Sequence, residues 1–373
     1  MPATLILEDG SVYTGEQFGG YGTKIGELVF NTSMTGYQEI LTDPSYANQI
    51  IIMTYPEIGN YGINDEDFES INPKCLGFVV KNSCKSESHY KSKQSLSSYL
   101  KKNEIIGIEG IDTRSLTVKI REKGVMKCMI TTDKILTEDD ITKRIAAICV
   151  YKPNKDIVFD VTSKEKYVVN PYGLIDLALI DYGCKTGIVN SLAERGCKVT
   201  VYPADTTSKT ILSGGHSSLF LSNGPGDPAD CITELKTVEE IIGKIPVFGI
   251  CLGYQLLSIA LGAKTYKLKY GHRGGNHPVI NLKTGLVMVT SQNHGYAVDR
   301  NTLSGIMTET YKNLNDDTME GFSAERLKIF AVQFHPEAKP GPKDASVIFD
   351  DWIKLMKEHQ ILPVRKADDM ASV

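Results

Sequence analysis

The sequence lacks the features that define several large classes of protein. Its 373 residues carry 41 basic and 45 acidic side chains, a net charge of −4, and both signs are spread along the chain. No apolar run approaches the ~20 residues that cross a bilayer. The first residues have neither the basic start nor the long apolar segment of a secretory signal. We therefore expect a cytoplasmic protein that binds neither nucleic acid nor membrane.

Cysteine is present, but without the spacing of a metal site or a disulfide framework. None of the eight cysteines forms a C-x-x-C pair, which fits a reducing compartment. An ATP-binding loop is also missing, because Gly183-Cys184-Lys185-Thr186 resembles the end of one but lacks the earlier glycine at the required spacing. We interpret the glycine-rich segment that contains His272 and His277 as a structural or interface loop, and we expect no metal site.

The pattern of predicted elements changes along the chain, whose length favours two or three domains. Residues 1–150 alternate short β-like runs with glycine-rich turns, which indicates a mixed, strand-rich α/β domain. Residues 151–172 are polar and poorly periodic and are interpreted as a linker. In residues 173–361 strands alternate with helices, which predicts an α/β domain with a mostly parallel sheet flanked by helices. Residues 362–373 are interpreted as a polar tail.

One cysteine stands between two glycines at a predicted strand-to-helix turn. The apolar run Val247–Ile250 predicts a buried strand, and apolar residues at helical spacing follow it. Gly249-x-Cys251-x-Gly253 is the thiol version of a nucleophile elbow. The field of a helix N-terminus stabilises a thiolate, and the N–H of Leu252 is placed to help hold an oxyanion. On these residues alone, two interpretations of Cys251 stay open: a nucleophile or a small core residue.

A thiol nucleophile needs a base, and one of the seven histidines fits that role. His335 follows the strand-like run Ile329–Phe334. Residues two apart in extended chain point to the same side, so Glu337 can orient the imidazole. The alternative is a surface turn with a solvated histidine and glutamate. Because an elbow cysteine and a His-x-Glu motif rarely coincide by accident, we favour a Cys–His–Glu relay.

A third motif reaches the same edge of the predicted sheet. Ser222–Pro228 follows the strand-like run Leu219–Leu221. Its glycine spacing formally matches a dinucleotide fingerprint, but Pro225 and Pro228 remove N–H donors that a pyrophosphate needs. We interpret it as a rigid turn that offers backbone amides to an oxyanion or to an amide substrate.

These motifs together resemble a known family. Three of them look like the three blocks of class I, triad-type glutamine amidotransferase domains: Phe248–Gly253, Ser222–Pro228 and Phe334–Ala338. Further stretches resemble the small subunits of carbamoyl-phosphate synthases: Phe30–Tyr46, Gly110–Arg114, Tyr270–Pro278 and Ser291–Tyr296. The resemblance covers nearly the whole chain, and the N-terminal block is its most specific part.

The resemblance implies a glutaminase. Cys251 would form a glutamyl thioester, His335 would relay protons and Glu337 would orient His335. It also implies a glutamine pocket at the interface of the two domains, formed by Ser45, Gly224, Gly226, Leu252, Gln255, Asn293, Gly295 and Tyr296. Without the resemblance, Ser45 is more simply read as closing a turn and Asn293–Gly295 as a hairpin tip.

The resemblance also implies a partner. Ammonia would pass through a tunnel to a large subunit that makes carbamoyl phosphate from bicarbonate with ATP and a divalent metal, for arginine or pyrimidine biosynthesis. The expected assembly is a heterodimer in which this chain binds no cofactor of its own. One departure is Tyr254, which stands where the family usually has histidine. The alternatives are an amidotransferase or Cys–His hydrolase that acts alone, and a non-catalytic regulatory subunit.

Overall fold

The computed structural model describes residues 1–134 and 137–359, and these residues form a closed barrel, a ten-stranded sheet and a small two-stranded sheet, with helices around them. The predicted polar tail, residues 362–373, lies outside the described residues, as do the last two positions of the preceding predicted domain. Among the described residues, no helix combines the length and apolar character needed to span a membrane.

The first part of the chain is built around a closed barrel with the strand order β1-β2-β8-β6-β4-β3-β9. Apolar side chains alternate along these strands and fill the space inside, for example Leu5, Leu28 and Ile106. Its elements are β1 Pro2–Leu7, β2 Val12–Gln17, β3 Thr23–Asn31, α1 Tyr37–Thr42, β4 Gln49–Met53, β5 Glu57–Ile58, β6 Gly77–Val79, β7 Asn82–Ser83, α2 Leu96–Lys102, β8 Ile106–Glu109, α3 Thr113–Lys123, β9 Met126–Thr131 and α4 Glu138–Val150.

The second part is a sheet with the order β10-β12-β11-β13-β14-β19-β18-β17-β15-β16. From β12 to β19 the strands are parallel, and from β19 to β16 they are antiparallel. Its elements are α5 Val158–Val161, β10 Tyr167–Val169, β11 Ile175–Asp181, α6 Thr186–Glu194, β12 Cys197–Pro203, α7 Ser208–Ser213, β13 Ser218–Leu221, α8 Ile232–Ile241, β14 Val247–Ile250, α9 Leu252–Ala260, β15 Thr265–Asn281, β16 Val287–Val298, β17 Thr308–Asn313, β18 Met319–Ala324, β19 Ile329–Val332 and α10 Val347–His359.

The parallel strands are buried on both faces, as their continuous apolar runs predict. One face packs against α8 and α9, where Leu256 and Leu257 join the core. The other face packs against α6 and α10, where Phe220 and Phe248 meet the single tryptophan, Trp352. The predicted α/β fold class is confirmed.

Two segments differ from the interpretation of their sequence. The segment predicted as a linker, residues 151–172, contains α5 and β10, and β10 extends the sheet by pairing antiparallel with β12. The prediction of a loop around His272 and His277 was wrong, because both residues lie within the long strand β15. The glycines that suggested a loop coincide with two register shifts, which bend the β15–β16 hairpin without ending it.

Candidate active site

Cys251 lies at the turn between β14 and α9, at the carboxyl edge of the parallel strands. Its backbone adopts φ +53° and ψ −102°, which side-chain-bearing residues rarely do. The turn is held by hydrogen bonds from its N–H to the Val332 carbonyl and from the Gln255 N–H to its carbonyl, each 3.0 Å long. The thiol is buried and donates to the Asn293 carbonyl at 3.6 Å. This strained turn has the geometry of a nucleophile elbow.

Glycine is required on both sides of the cysteine because other backbone comes very close. A Cβ at Gly249 would lie 2.8 Å from the carbonyl carbon of Gly253. A Cβ at Gly253 would overlap the carbonyl oxygen of Leu221. The same holds for Gly224, where a Cβ would overlap the carbonyl oxygen of Tyr182. The glycines of the motif therefore let α9 start directly against β13 and the Gly224 turn.

His335 is placed beside the thiol by the end of β19. Its N–H donates to the Ser291 carbonyl at 2.9 Å, and its Nδ1 donates to Glu337 Oε1 at 2.7 Å. Burial lowers the pKa of His335, but the Glu337 charge, the Cys251 thiol and the Glu337 hydrogen bond outweigh burial and raise the pKa. Because Nδ1 is committed to the carboxylate, Nε2 is the atom left for proton exchange with Cys251.

The carboxylate of Glu337 has a second partner that the sequence did not reveal. Lys185 is buried at the start of α6, and its Nζ donates to Glu337 Oε1 at 2.9 Å and to the Ala338 carbonyl at 2.6 Å. Burial would raise the pKa of Glu337, but the charges of Lys185 and His335 outweigh burial and lower the pKa. Lys185 therefore keeps Glu337 ionised beneath the imidazole. The only sequence signal at this lysine was the incomplete phosphate-loop pattern.

The barrel part of the chain contributes directly to this region. Glu69 Oε2 accepts from the Gly187 N–H at 3.0 Å, and the Glu69 carbonyl accepts from the Thr186 N–H at 2.9 Å. Both N–H groups belong to the first turn of α6, the helix that Lys185 precedes. The acidic side chain thus caps a helix N-terminus, which favours negative charge. Glu69 thereby ties the barrel to the helix that positions Lys185.

A cavity of about 320 Å³ opens in front of the thiol. Seven of the eight predicted glutamine-binding residues line it together with Cys251: Ser45, Gly224, Gly226, Gln255, Asn293, Gly295 and Tyr296. The eighth, Leu252, is buried and starts α9, so only its backbone N–H is available at this edge. His335 lies behind the thiol and lines a smaller neighbouring cavity, and neither it nor Glu337 is part of this wall.

The cavity lies between the barrel and the second sheet. Ser45 Oγ, from the barrel part, accepts from Asn223 Nδ2 at 2.9 Å. Asn293 Nδ2 donates to Asp43 Oδ2 at 2.8 Å. Asn293 lies inside strand β16, so the simpler interpretation as a hairpin tip does not apply. The tertiary structure thus brings Ser45 and Asn293 to one wall although 248 positions separate them in sequence.

One buried group has the composition of a metal site. His272, His294 and Glu320 each offer a ligand atom, and these atoms lie within 4.8 Å of one another. Burial lowers the pKa of His272, but the hydrogen bond to Asp316 and the charges of Glu320 and Asp316 outweigh burial and raise the pKa to about 9. The protonated imidazole of His272 therefore already provides the positive charge that a metal ion would bring to this group. Glu320 also accepts a hydrogen bond from Gln292 Nε2 at 2.9 Å.

The parallel sheet, the thiol elbow and the histidine–glutamate pair define a class I glutamine amidotransferase domain, and the family model "Glutamine amidotransferase class-I" matches residues 178–355. A second family model, "Carbamoyl-phosphate synthase small chain, CPSase domain", matches residues 5–130. The chain belongs to the family of carbamoyl-phosphate synthase small chains.

Curated relatives cover almost the whole chain. The carbamoyl phosphate synthase small chain of Clostridium perfringens is 48% identical over 95% of this chain and 99% of its own length. That of Bacillus caldolyticus is 47% identical over 96% of this chain and 97% of its own length. Among solved structures, a glutamine amidotransferase of Thermotoga maritima is 20% identical over 50% of this chain and 86% of that chain, with a TM-score of 0.38.

Proposed function

We propose that this chain is the glutaminase subunit of a two-subunit carbamoyl-phosphate synthase and that Cys251, His335 and Glu337 carry the hydrolysis. The observation that supports this most directly is the strained elbow thiol with His335 behind it and a substrate-sized cavity in front. The His335–Glu337–Lys185 chain of hydrogen bonds supplies a base in a fixed orientation.

The hydrolysis proceeds in two half-reactions. The Cys251 thiolate attacks the amide carbon of glutamine, and the oxyanion is held by backbone N–H groups at the start of α9, including that of Leu252, and in the Gly224 turn. The C–N bond then breaks, and the nitrogen leaves as ammonia with a proton from His335. A water molecule next attacks the thioester while His335 takes its proton. Glutamate leaves and the thiol is restored.

Glutamine would lie with its polar α-groups away from the thiol. The remaining predicted binding residues line that part of the cavity: Ser45, Gly226, Gln255, Asn293, Gly295 and Tyr296. Short polar side chains and backbone groups supply the donors that a carboxylate needs and the acceptors that an ammonium needs.

The partner proposed for this chain is a large subunit, because the relatives are named small chains. The large subunit would receive the ammonia and make carbamoyl phosphate with bicarbonate, ATP and a divalent metal, so that this chain needs no cofactor of its own. The product would serve arginine or pyrimidine biosynthesis. A cytoplasmic location is supported by the eight cysteines, all of which are free.

The test is reconstitution of Cys251→Ala with the large subunit. Glutamine-dependent synthesis should fall by at least about 10⁴-fold, because removing the nucleophile leaves only binding and oxyanion stabilisation. Synthesis from added ammonia should persist. The control is Cys149→Ala, which removes an exposed thiol that does not line the cavity and should change neither activity.

Two results would contradict the proposal. Glutamine-dependent synthesis that survives Cys251→Ala would favour a non-catalytic regulatory subunit. Full glutaminase turnover without the large subunit, and no increase when it is added, would favour a hydrolase that acts alone.

A further inference from the structure

A second cavity forms a groove where the barrel part of the chain meets β15. Its volume is about 1220 Å³, against about 320 Å³ for the cavity in front of Cys251. One wall is a face of α3 from Thr113 to Arg121, and the other is the stretch of β15 from Tyr270 to His277. Sites for small molecules usually hold about 300–1,000 Å³. This α3–β15 groove therefore has the size to receive a segment of another protein.

Both walls of the α3–β15 groove are held in place by backbone hydrogen bonds between the barrel part and β15. The Val125 N–H, just after α3, donates to the Lys269 carbonyl at 2.8 Å, and the Thr32 N–H donates to the Arg273 carbonyl at 3.2 Å. β15 is in turn paired with β16. The groove is therefore preformed, and a partner that binds there does not have to order it first.

The groove concentrates positive charge, although the whole chain has a net charge of −4. Four cations line it, and the one carboxylate among the lining residues is Asp112. Three of the cations are exposed and the fourth is buried: Lys81, Arg114 and Arg121, and Arg273. Among the described residues, none of the four lies within ion-pair distance of a carboxylate. The groove thus carries an excess of positive charge that the chain itself does not neutralise.

Neighbouring cations that do not line the groove are paired. Lys119 and Lys123, also on α3, both pair with Asp9, at 3.3 and 2.9 Å. Lys85, which follows the barrel strand β7, pairs with Glu109. Positive charge is therefore neutralised on one side of α3 and left open on the side that faces the groove.

Arg273 is the buried member of the set, with only 4% of the residue exposed. Its Nη1 donates to the Tyr270 carbonyl at 2.9 Å, whereas its Nε is sealed from solvent and has no hydrogen-bond partner among the described residues. The Arg121 guanidinium lies over the ring of the same tyrosine, 6.0 Å from its centre. A buried guanidinium without a counter-ion is costly, so a carboxylate brought by a partner would stabilise this end of the groove.

The groove does not have the composition of a site for a small anion such as phosphate. The N-terminus of α3 is already capped by the chain's own carboxylate, because Asp112 Oδ1 accepts from the Ser115 N–H at 2.9 Å. Asp112 would repel a second anion there. Val118 is 45% exposed and lies on the groove side of α3, one turn from both Arg114 and Arg121. Arginines around an apolar side chain are typical of the surfaces that bind other proteins.

We propose that the α3–β15 groove docks an acidic segment of the large subunit, whose carboxylates pair with Arg114 and Arg121 and whose apolar side chains cover Val118. The proposal rests on the function proposed above, which supplies the partner, and adds the surface on which that partner binds. Complementary charge steers the association of two proteins and fixes their register. Docking here also places the large subunit against Arg273, which the groove shares with the Cys251 cavity.

The test measures the dissociation constant (Kd) of the complex between the full chain and the purified large subunit. The double variant Arg114→Glu, Arg121→Glu should raise Kd by at least about 30-fold, because each reversal turns an attraction across the interface into a repulsion. Raising the ionic strength should weaken the wild-type complex more than that of the variant, since salt screens exposed charge pairs. The isolated variant should hydrolyse glutamine as fast as the isolated wild type, because neither arginine lines the Cys251 cavity.

The matched control is Arg326→Glu, Lys328→Glu. It makes the same change of charge at two exposed cations outside the groove and should leave Kd within about twofold of the wild type. Equal weakening by the two double variants would show an effect of net charge alone and would overturn the proposal. An unchanged Kd for the arginine variant would overturn it as well, and loss of inorganic phosphate binding by that variant would then assign the groove to a small anion. A wild-type chain that does not bind the large subunit would instead overturn the proposed function.

Discussion

Lys185 Nζ and Glu337 Oε1 form a fully buried ion pair 2.9 Å long, directly beneath the imidazole that faces Cys251. The two residues are 152 positions apart in sequence. Lys185 precedes α6, and Glu337 follows the last parallel strand, so the pair forms only when the sheet is complete. Glu69, from the barrel part of the chain, accepts from the first turn of α6. The orientation of His335 therefore depends on a helix that the barrel part also holds in place.

Replacing Lys185 with Met should impair glutamine hydrolysis without abolishing ammonia-dependent synthesis. Without the ammonium, the pKa of the buried Glu337 rises, and a protonated Glu337 holds His335 less firmly. We expect kcat for glutamine to fall roughly 10- to 100-fold, part of the 10²–10⁴ that a positioned base contributes. The loss should be larger at pH 6 than at pH 8, because the lower pH protonates more of the Glu337 carboxylate.

Lys339→Met is the control for Lys185→Met, because Lys339 is half-exposed and its Nζ lies 3.8 Å from Glu69 rather than beside Glu337. Equal kinetics of the Lys185 variant and wild type would contradict this role.

Replacing Gly253 with Ala should disrupt the elbow. The new Cβ would overlap the carbonyl oxygen of Leu221, so α9 must move away from β13. We expect a loss of about 1–3 kcal/mol in the free energy of unfolding, the usual cost of overpacking, together with loss of glutamine hydrolysis. Urea unfolding and a glutaminase assay measure the two effects. Gly305→Ala is the matched control, since nothing lies within 4 Å of its Cβ position. A Gly253→Ala protein with wild-type activity would show that α9 does not need this close contact.

The buried His272 should make the protein less stable as the pH rises into the alkaline range. Its folded pKa is about 9, whereas an unfolded histidine titrates near the ordinary 6.5. Because the pKa is higher in the folded protein, protonated His272 stabilises the fold. This stabilisation is fully present below pH 6.5 and is lost as the pH rises through about 9. The contribution is at most about 3 kcal/mol.

Thermal unfolding between pH 6 and pH 9.5 measures this dependence. Asp316→Asn removes the hydrogen-bond partner at 2.8 Å and should flatten the decline in stability. Asp317→Asn removes the neighbouring, solvent-exposed carboxylate, which pairs with Lys312, and should leave the decline as in the wild type. If both variants decline as steeply as the wild type, His272 is not the group responsible.

Tyr254 should matter for stability and not for catalysis. Its side chain is fully buried against Phe322, and its hydroxyl donates to the Met319 carbonyl at 3.2 Å. It is not part of the cavity wall. Tyr254→Phe should cost about 1 kcal/mol of unfolding free energy through the lost hydrogen bond. Glutaminase kcat/KM should stay within about twofold of wild type, and a larger loss would place Tyr254 in the active site.

The parts of the site that were predictable are local in sequence. Gly249, Cys251 and Gly253 meet within one turn, so their spacing alone predicts the elbow. His335 and Glu337 are two residues apart in extended chain, and their side chains meet on the same side. The alternation of strands and helices after residue 173 likewise predicted the parallel strands, because helical and extended periodicities are local properties of the chain.

The remaining groups could not be found in this way. Lys185 resembled only a failed phosphate loop, and Arg273 stood in a glycine-rich stretch whose periodicity the bulges of β15 obscure. The segment 151–172 read as a linker because α5 and β10 are too short to show a period.

The sequence by itself determined the elbow at Cys251, the His335–Glu337 pair and the family to which the chain belongs. The tertiary structure decided the electrostatics, namely that Glu337 is held by the buried Lys185. The physical reason is that hydrogen bonds within a turn follow from residue spacing. Burial and long-range charge pairing exist only once distant strands have assembled.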